Sequence, residues 1–467
     1  MKKLGLNWKV FLGSLVTIAI PIALQNLLGT TAGMVDTVMI GTQGELSVAA
    51  VGICSQVNSL FFSAYFGFAS GAQLFFSQYW GAHDEDGINR TAGLALMWML
   101  LVAVLFGGFC VLAPRTILGI YTDKQDIIDI GYKYIRIVGF SYPLTAIAVL
   151  ESFLLRSTER VRPPLYASIV ALIVNFCLNW LLINGHFGMP KMGAAGAAVG
   201  TLCSAAVNVV ILLIYILRSS DVIRLRISRM FSWGNGFFGA YMKRSFPIML
   251  NEMLYGVGQM VINIVMGHQA ESAIAAMAAF RVLEGFVFAF FGGLADASYV
   301  MIGKEIGAGE HKHAYSQVWG FAIVCPLITF VIVLICFLLH QPLYSLFGLG
   351  EQAIYYGKYM LLIYLGMGTV RTCDYIINTC FRAGGEPTFG TILEIVCLFA
   401  LTVPATWVSG MVLHLPFLAV FAFVYTDELI RFFFEIHRVR TGKWIRPVTE
   451  EGKKALPEFL ASLKHTS

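Results

Sequence analysis

Long apolar stretches recur along almost the whole chain, and this feature constrains its fold more than any other. At about 20 residues per crossing, each stretch is long enough to span a bilayer as a helix. The twelve stretches lie at 11–40, 47–78, 91–113, 127–155, 164–184, 192–217, 241–267, 274–303, 317–340, 352–380, 388–410 and 416–439. Charged residues make up 13% of the chain, against roughly 25% in soluble domains. The sequence therefore predicts an all-α polytopic membrane protein with twelve transmembrane helices.

The composition and the motif content argue against several functional classes. All nine cysteines fall inside apolar stretches, which disfavours a disulfide or zinc framework. The net charge of +5 comes from basic residues scattered among loops, so no nucleic-acid-binding face is expected. No metalloprotease, nucleotide-binding or serine-hydrolase motif is found. We expect neither an enzyme nor a resident cofactor, and energy for any transport has to come from ion gradients.

Lysine and arginine residues are distributed unevenly between the two sets of loops. One set, together with both termini, holds Lys2, Lys3, Lys9, Arg156, Arg160, Arg162, Arg218, Arg224, Arg226, Arg229, Lys243, Arg244, Lys304, Lys312, Arg438, Arg440, Lys443 and Arg446. The other set holds little beyond Arg115, Lys124 and Lys191. By the positive-inside rule both termini are predicted to be cytoplasmic, in a multi-pass protein of the cell membrane.

An internal repeat divides the spans six and six. Pro21 aligns with Pro247, an offset of 226, and the same offset holds without a gap over many further positions. The identities are Met34/Met260, Gly41/Gly267, Glu45/Glu271, Phe62/Phe288, Gly67/Gly293, Gly81/Gly307, Gly131/Gly357 and Arg156/Arg382, among others. Six spans per repeat give two parallel repeats related by a pseudo-twofold axis along the membrane normal. The predicted domains are a six-helix lobe at 1–217, a linker at 218–240, a second lobe at 241–440 and a cytoplasmic tail at 441–467.

The first span carries an acid, Asp36, at the end of a stripe formed by Gln25, Gly29 and Gly33. Steps of 4, 4 and 3 residues place that stripe on one helical face. An Asp near the middle of a span costs about 2.5–3.5 kcal/mol to insert, so such an acid indicates a functional site. The alternative is that Asp36 lies at the membrane edge, in water, and has no function.

Two asparagines of the fifth span, Asn175 and Asn179, are four residues apart and share a face. Their amide oxygens are hard donors suited to an alkali ion, so together with Asp36 they suggest a cation site. Hydrogen bonding between helices is the commoner use of asparagine in membranes and is the alternative.

The second repeat carries more charge than the first. Asp36 aligns with Ile262, so the acid of the first span is not shared. Opposite charges occur at helical spacing in three spans of the second repeat, as Arg281 with Glu284, Arg371 with Asp374, and Asp427 and Glu428 with Arg431. Such pairs either lock helices together or bind a ligand. Glu252 and Glu394 have no partner within one helical turn, so they are the better candidates for a proton or a cationic ligand.

Several segments together resemble the multidrug and toxic compound extrusion (MATE) family. They are IPIALQNLLGTTAGMVDTVMIG of the first span, MGAAGAAVGT at 192–201, LLRSTERVRPP at 154–164 and CFRAGGEPT at 380–388. The resemblance covers about 16–440 and implies two lobes arranged in a V. It also implies a cation site at Asp36, Asn175, Asn179 and Thr201.

The resemblance also bears on the branch of the family. The DinF-like branch has Asp where this chain has Asn179, which favours the NorM-like branch. That branch uses acids of the seventh and tenth spans, and Glu252 and Asp374 match them. Arg371, one turn from Asp374, departs from the expected pattern and weakens that second site. Glu284 and Glu394 are further candidates for cation or substrate binding in this lobe.

The leading functional hypothesis is a monomeric secondary transporter. It would export organic, lipophilic cationic compounds by antiport with Na⁺ or H⁺. One alternative is a flippase for a lipid-linked oligosaccharide or polysaccharide precursor, whose cavity would be rich in arginine. Another is a membrane protein without transport activity. The sequence leaves the substrate and the coupling ion open.

Overall fold

The computed structural model describes residues 6–218, 225–234 and 236–464, and helices account for most of them. Lys2, Lys3 and Arg224, used above to predict orientation, lie outside the described residues. The α-helices in chain order are α1 (Trp8–Gly41), α2 (Glu45–Gly81), α3 (Glu85–Leu112), α4 (Pro114–Gly119), α5 (Gln125–Ser157), α6 (Arg162–Asn184), α7 (Ala194–Arg218), α8 (Ile227–Met230), α9 (Phe237–Gly267), α10 (Glu271–Gly307), α11 (His311–Leu338), α12 (His340–Ser345), α13 (Glu351–Gly384), α14 (Pro387–Cys397), α15 (Val403–Trp407), α16 (Phe417–Phe423), α17 (Thr426–Arg440) and α18 (Glu450–Lys464).

Proline and glycine mark several helix ends, as their backbone preferences require. A proline lies in the first turn of α4, α6 and α14, where the missing N–H leaves no hydrogen bond unmade. Gly185 follows α6 with φ 77° and Gly385 follows α13 with φ 95°. Both glycines adopt the left-handed conformation that ends a helix and that only glycine adopts without cost.

Eleven helical segments in the described part of the chain are long and apolar enough to cross a membrane. They are α1, α2, α3, α5, α6, α7, α9, α10, α11, α13 and the run Pro387–Val412. That last run contains α14 and α15 together with two π-helical turns, Leu398–Thr402 and Val408–Val412. These segments correspond to the first eleven predicted spans, so the prediction of a polytopic all-α protein is confirmed.

The twelfth predicted span, 416–439, consists of two shorter helices. The seven-residue α16 ends at Phe423, and α17 begins at Thr426. Four charged residues of α17 are buried, namely Asp427, Glu428, Arg431 and Glu435. This density of buried charge explains why the stretch is less apolar than the other spans.

The chain divides into two compact units. The amino-terminal unit contains residues 24–76 and 83–249, and the carboxy-terminal unit contains the residues up to 23, residues 77–82 and those from 250 onward. In the first unit, α5 packs against α3 and α7, and α6 against α7. In the second, α13 packs against α10, α11 and α17. The chain passes from one unit to the other four times, and two of these crossings, after Ala23 and after Met249, are separated by the repeat offset of 226.

Close contacts of glycine repeat at the same offset inside each unit. In the amino-terminal unit Gly67 lies against the main chain of Met249, where a Cβ atom would overlap. In the carboxy-terminal unit Gly293 lies in the same way against Ala23. Because 67 + 226 is 293 and 23 + 226 is 249, these are one contact made twice. The aligned glycines therefore match because each repeat needs the same close approach of helices.

The carboxy-terminal tail packs on the helix ends of its own unit. Trp444 is fully buried, and the N–H of Arg446 donates to the carbonyl of Gly384 at 2.7 Å. Nε2 of His311 contacts the carbonyl oxygen of Gly452 at 2.8 Å. The segment predicted as a cytoplasmic tail at 441–467 thus contributes a folded helix, α18, to this unit.

Candidate functional site

Asp36 lies beside the two asparagines that the sequence singled out, inside the amino-terminal unit. Nδ2 of Asn179 donates to Oδ1 of Asp36 at 2.5 Å and is also 3.2 Å from Oδ1 of Asn175. The helices α1 and α6 supply these three residues. The structure therefore brings together the carboxylate and both amides of the predicted cation site.

Burial differs within this group. Asp36 is half-buried, whereas Asn175 and Asn179 are buried, with exposed fractions of 6% and 0%. Oδ1 of Asn179 is buried without a hydrogen-bond partner in the described residues. A buried amide oxygen without a donor is costly, so this oxygen is free to accept a hydrogen bond or to coordinate a cation.

The helix α7 supplies the surroundings of Asn179. Gly200 faces this side chain, and a Cβ atom at Gly200 would overlap Oδ1 of Asn179. Thr201, the fourth predicted ligand, follows Gly200, and its hydroxyl donates to the carbonyl of Ala197 at 3.1 Å. The residue before Thr201, Gly200, contacts Asn179. The hydroxyl of Thr201 itself bonds within α7 and makes no hydrogen bond to Asp36, Asn175 or Asn179 in the described residues.

Sequence reasoning missed one residue near this group. Tyr134 of α5 is buried, and its neutral phenol lies within electrostatic range of Asp36. Tyrosines are frequent among the apolar spans, so nothing in the spacing of Tyr134 marked it. Glu151, also on α5, is 8% exposed, and its Oε2 has no hydrogen-bond partner in the parts of the chain that are described.

In the carboxy-terminal unit, Glu252 forms an ion pair that the sequence did not reveal. Nη1 of Arg382 donates to Oε1 of Glu252 at 3.2 Å. The expectation that Glu252 is an unpaired acid is corrected, because its partner comes from α13 rather than from its own helix. Arg382 is the repeat counterpart of Arg156, which donates instead to Oε1 of Gln25 at 2.6 Å.

The predicted pairs on α10 and α13 are replaced by pairs between helices. Arg371 donates to Glu284 at 2.7 Å and approaches Glu428 at 3.6 Å, so it does not serve Asp374 as its spacing suggested. Arg281 hydrogen-bonds Asn263 rather than Glu284. Arginine side chains are long enough to reach acids on neighbouring helices, which the spacing within one helix cannot show.

Glu394 is held mainly by amides. Nδ2 of Asn251 donates to its Oε2 at 2.8 Å, and Nδ2 of Asn378 donates to the same oxygen at 3.2 Å. Arg431 is 3.9 Å from its Oε1. Glu394 thus differs from Glu252 and Glu284, which both face an arginine directly.

A dense group of charges surrounds Arg431 on α17. Besides Glu394, its guanidinium lies within 3.5–3.8 Å of Asp427, Glu428 and Glu435. Asp374 is fully buried next to Glu428, and neither of its carboxylate oxygens receives a hydrogen bond from a described donor. The acids of this group outnumber the two guanidinium groups near them, Arg431 and Arg371, so the cluster holds more buried acid groups than arginines to pair with them.

The described residues contain no group of three or more His, Cys, Asp or Glu side chains arranged to hold a metal ion. The group at Asp36 instead combines one carboxylate with two amides. The carboxylate of Asp36 and the amide oxygen of Asn175 are hard donors that suit an alkali ion, whereas Asn179 presents its N–H group to both of them. The carboxylate is the one group of the three that can take up a proton.

Two curated proteins match most of the length of the chain. The probable multidrug resistance protein YoeA of Bacillus subtilis is 23% identical over 406 residues, covering 86% of this chain and 87% of that protein. The probable multidrug resistance protein NorM of Thermotoga maritima is 23% identical over 440 residues, covering 92% of both chains.

Solved structures show the same fold. A crystal structure of a MATE protein in complex with MaL6 has a TM-score of 0.82 at 17% identity, covering 92% of this chain and 96% of that chain. A crystal structure of a mutant of the Vibrio cholerae MATE transporter VcmN has a TM-score of 0.83 at 17% identity, covering 96% of this chain and 98% of that chain.

The sequence profile of the MatE family matches twice, at residues 21–181 and 247–408. The two matches begin 226 residues apart, which is the offset of the internal repeat. Together they cover more than half of the chain, and they confirm the resemblance drawn from the sequence motifs: the chain belongs to the MatE family.

Proposed function

We propose that this protein is a cation-coupled efflux antiporter of the cell membrane. It exports organic, lipophilic cationic compounds in exchange for Na⁺ or H⁺, and both of its termini are cytoplasmic. The observation that carries the proposal is the 2.5 Å hydrogen bond from Asn179 to Asp36 inside an apolar span. In this contact a neutral amide N–H, rather than a cation, holds the carboxylate, which leaves its negative charge available to a coupling ion.

The coupling follows from competition for one negative charge. A proton or Na⁺ at Asp36 neutralises the carboxylate, and a cationic substrate is then no longer attracted to it. Release of the ion restores the charge and the attraction. One charge that crosses 100 mV supplies about 2.3 kcal/mol, to which the chemical gradient of the ion adds.

The names of the relatives support the export of drugs in general. Several of them are named as multidrug resistance proteins, among them PmpM of Pseudomonas aeruginosa, which is 27% identical over 314 residues. The arginines of the carboxy-terminal unit argue against the flippase alternative. Arg371, Arg382 and Arg431 all lie beside acids, so they offer little free positive charge to an anionic headgroup.

The test is dye efflux from proteoliposomes with Na⁺ and pH gradients imposed separately. The Asp36→Asn variant keeps the shape of the side chain, but its amide can neither take up a proton nor pair with a cation. We therefore expect efflux to be lost with either gradient. Asp129→Asn is the matched control, because Asp129 is an exposed acid of the same unit that pairs with Arg115.

Unchanged efflux in Asp36→Asn, with normal folding, would overturn the proposal. Transport of an anionic lipid-linked sugar without any response to cationic dyes would overturn it in favour of the flippase.

A further inference from the structure

The short helix α8 of the amino-terminal unit lies across the membrane-facing side of α3. The carbonyl oxygen of Met230, in α8, lies so close to Gly93 that a Cβ atom at Gly93 would overlap it. Gly93, Met97, Leu101 and Val104 follow one another at steps of 4, 4 and 3 residues, so they share one face of α3. Met97, Leu101 and Val104 are exposed on a helix that is apolar enough to span a membrane, so this face contacts lipid. α8 therefore covers the first residue of a lipid-facing stripe.

The contacts of α8 fix its depth along α3. α3 begins at Glu85, and its apolar stretch begins at residue 91. The N–H of Arg226 donates to Oδ1 of Asn89 at 2.8 Å, and Met230 contacts Gly93. At 1.5 Å per residue, these two contacts lie about 3 Å to either side of residue 91 along the helix axis. The segment at 226–233, called the interfacial segment below, therefore lies where the headgroups of a bilayer meet its hydrocarbon core.

The interfacial segment exposes apolar and basic side chains together. Ile227 and Phe231 are 76% and 58% exposed, and the ring of Phe231 lies 6.0 Å from that of Trp233. Arg226 and Arg229 are exposed as well. Large apolar side chains are costly to leave in water, whereas at the surface of a bilayer they insert beside the headgroups. This combination of aromatic, aliphatic and basic side chains is typical of a segment that lies in the membrane interface.

The other charges near the interfacial segment belong to the start of α3. They are Asp84, Glu85, Asp86 and Arg90. Arg90 pairs with Asp84, and Arg229 pairs with Asp86, each at 3.7 Å. The three acids precede residue 91 by five to seven positions, which places them about 8–11 Å from the apolar stretch, on its water side. Arg226 is bound closer to the apolar stretch, and no acid in the described part of the chain forms an ion pair with it.

We propose that the interfacial segment binds an anionic phospholipid in the leaflet at this end of α3. This is the cytoplasmic leaflet in the orientation proposed above. The guanidinium group of Arg226 donates two parallel hydrogen bonds to the phosphate oxygens. Arg229 adds a second positive charge, because its exposed pair with Asp86 is weak and readily exchanged. Ile227 and Phe231 insert beside the acyl chains.

The preference for an anionic lipid follows from charge. A zwitterionic phospholipid also carries a phosphate, but its own cationic group cancels the negative charge. An anionic headgroup keeps that charge, and basic residues at the surface attract it. The site involves none of the residues around Asp36, so its occupancy can be measured without transport and whether or not the protein is an antiporter.

The experiment measures which lipid is enriched next to Trp233 in the full chain in nanodiscs. Trp233 reports on the interfacial segment, because its Nε1 donates to the carbonyl oxygen of Met230 at 2.8 Å. Brominated phosphatidylglycerol or brominated phosphatidylcholine, which quench tryptophan on contact, is added at the same low mole fraction to unbrominated phosphatidylcholine. The chain has eight tryptophans, so the signal of Trp233 is the difference between each protein and its Trp233→Phe counterpart.

In the wild type we expect phosphatidylglycerol to quench Trp233 about fivefold or more strongly than phosphatidylcholine, the preference that one or more basic residues give at a membrane surface. Replacing both arginines, as Arg226→Gln with Arg229→Gln, should bring the ratio of the two quenching constants down to about one. Asp86→Asn releases Arg229 from its pair and should raise the ratio. Arg115→Gln is the matched control, because Arg115 is an exposed arginine beyond the opposite end of α3, and it should leave the ratio unchanged.

Equal quenching by the two lipids in the wild type would overturn the proposal. A preference for phosphatidylglycerol that persists in the double arginine variant would overturn it as well. If neither lipid quenched Trp233, the interfacial segment would not contact the bilayer, and the proposal would fail. High salt should weaken the preference in the wild type, because the attraction is between charges at a surface.

Discussion

The two repeats hold the same arginine against different partners. Arg156 donates to the amide oxygen of Gln25, whereas Arg382, its repeat counterpart, donates to the carboxylate of Glu252. The first contact is between a charged and a neutral group, and the second is an ion pair within the bundle. The shared scaffold therefore positions a guanidinium in both repeats, and the sequence around it sets the local charge.

This difference separates the acids by their availability. Glu252 and Glu284 are each bound by an arginine, so taking up another cation requires breaking an ion pair. Asp36 and Glu394 are bound mainly by neutral amides, so their charges remain available. Availability to a coupling ion thus depends on the partner of the acid rather than on the acid itself.

The largest expected effect comes from breaking the ion pair of the second repeat. Arg382→Met would leave Glu252 as a buried, uncompensated charge and should lower stability by about 3–5 kcal/mol. The matched Arg156→Met leaves a neutral amide and should cost about 1–3 kcal/mol. Thermal unfolding of both purified variants measures the difference, which should shrink when Glu252→Gln is added to Arg382→Met. Equal losses in the two single variants would show that the partners do not matter.

The difference between acids held by arginines and acids held by amides is only partly predictable from the sequence. The apolar stretches and the offset of 226 identified the spans and the repeat, because both are periodic properties of the chain. Asp36, Asn175 and Asn179 were found because a polar residue in an apolar span is unusual. The partners of Glu252, Glu394 and Arg371 were missed, since they lie on other helices and spacing within one helix carries no information about them.

A second prediction converts the amide environment of Asp36 into a charged one. Asn179→Asp places two carboxylates within hydrogen-bonding distance, and like charges so close retain a proton between them. We expect the ratio of pH-driven to Na⁺-driven efflux to rise about tenfold or more, since the site then favours protons. Dye efflux under separate gradients measures this ratio. Asn179→Leu, which removes the donor without adding charge, is the control, and an unchanged ratio in Asn179→Asp would contradict the role of the amide.

A smaller effect is expected from Gly200→Ala, which crowds Oδ1 of Asn179. Overpacking of this kind costs about 1–3 kcal/mol, and part of it should appear as a few-fold weaker ion affinity at Asp36. Gly196→Ala is the comparison on the same helix, because a Cβ atom there would crowd the main chain of Leu182 instead. It should lower the unfolding temperature without a selective loss of ion binding. If Gly200→Ala also lowered the unfolding temperature without weakening ion affinity, Gly200 would serve packing alone.

The smallest effect is expected where an ion pair is exposed. Arg115 and Asp129 are 2.7 Å apart, with 62% and 56% of their side chains exposed. Water screens this pair, so Asp129→Asn should change stability by about 0–1 kcal/mol, far less than the loss of the pair between Arg382 and Glu252. Unfolding measured at low and high salt should show a small difference that disappears at high salt. If Asp129→Asn lowered stability as much as Arg382→Met, burial would not explain the strength of the ion pair between Arg382 and Glu252. The contribution of that pair to stability would then come from the helices that it joins.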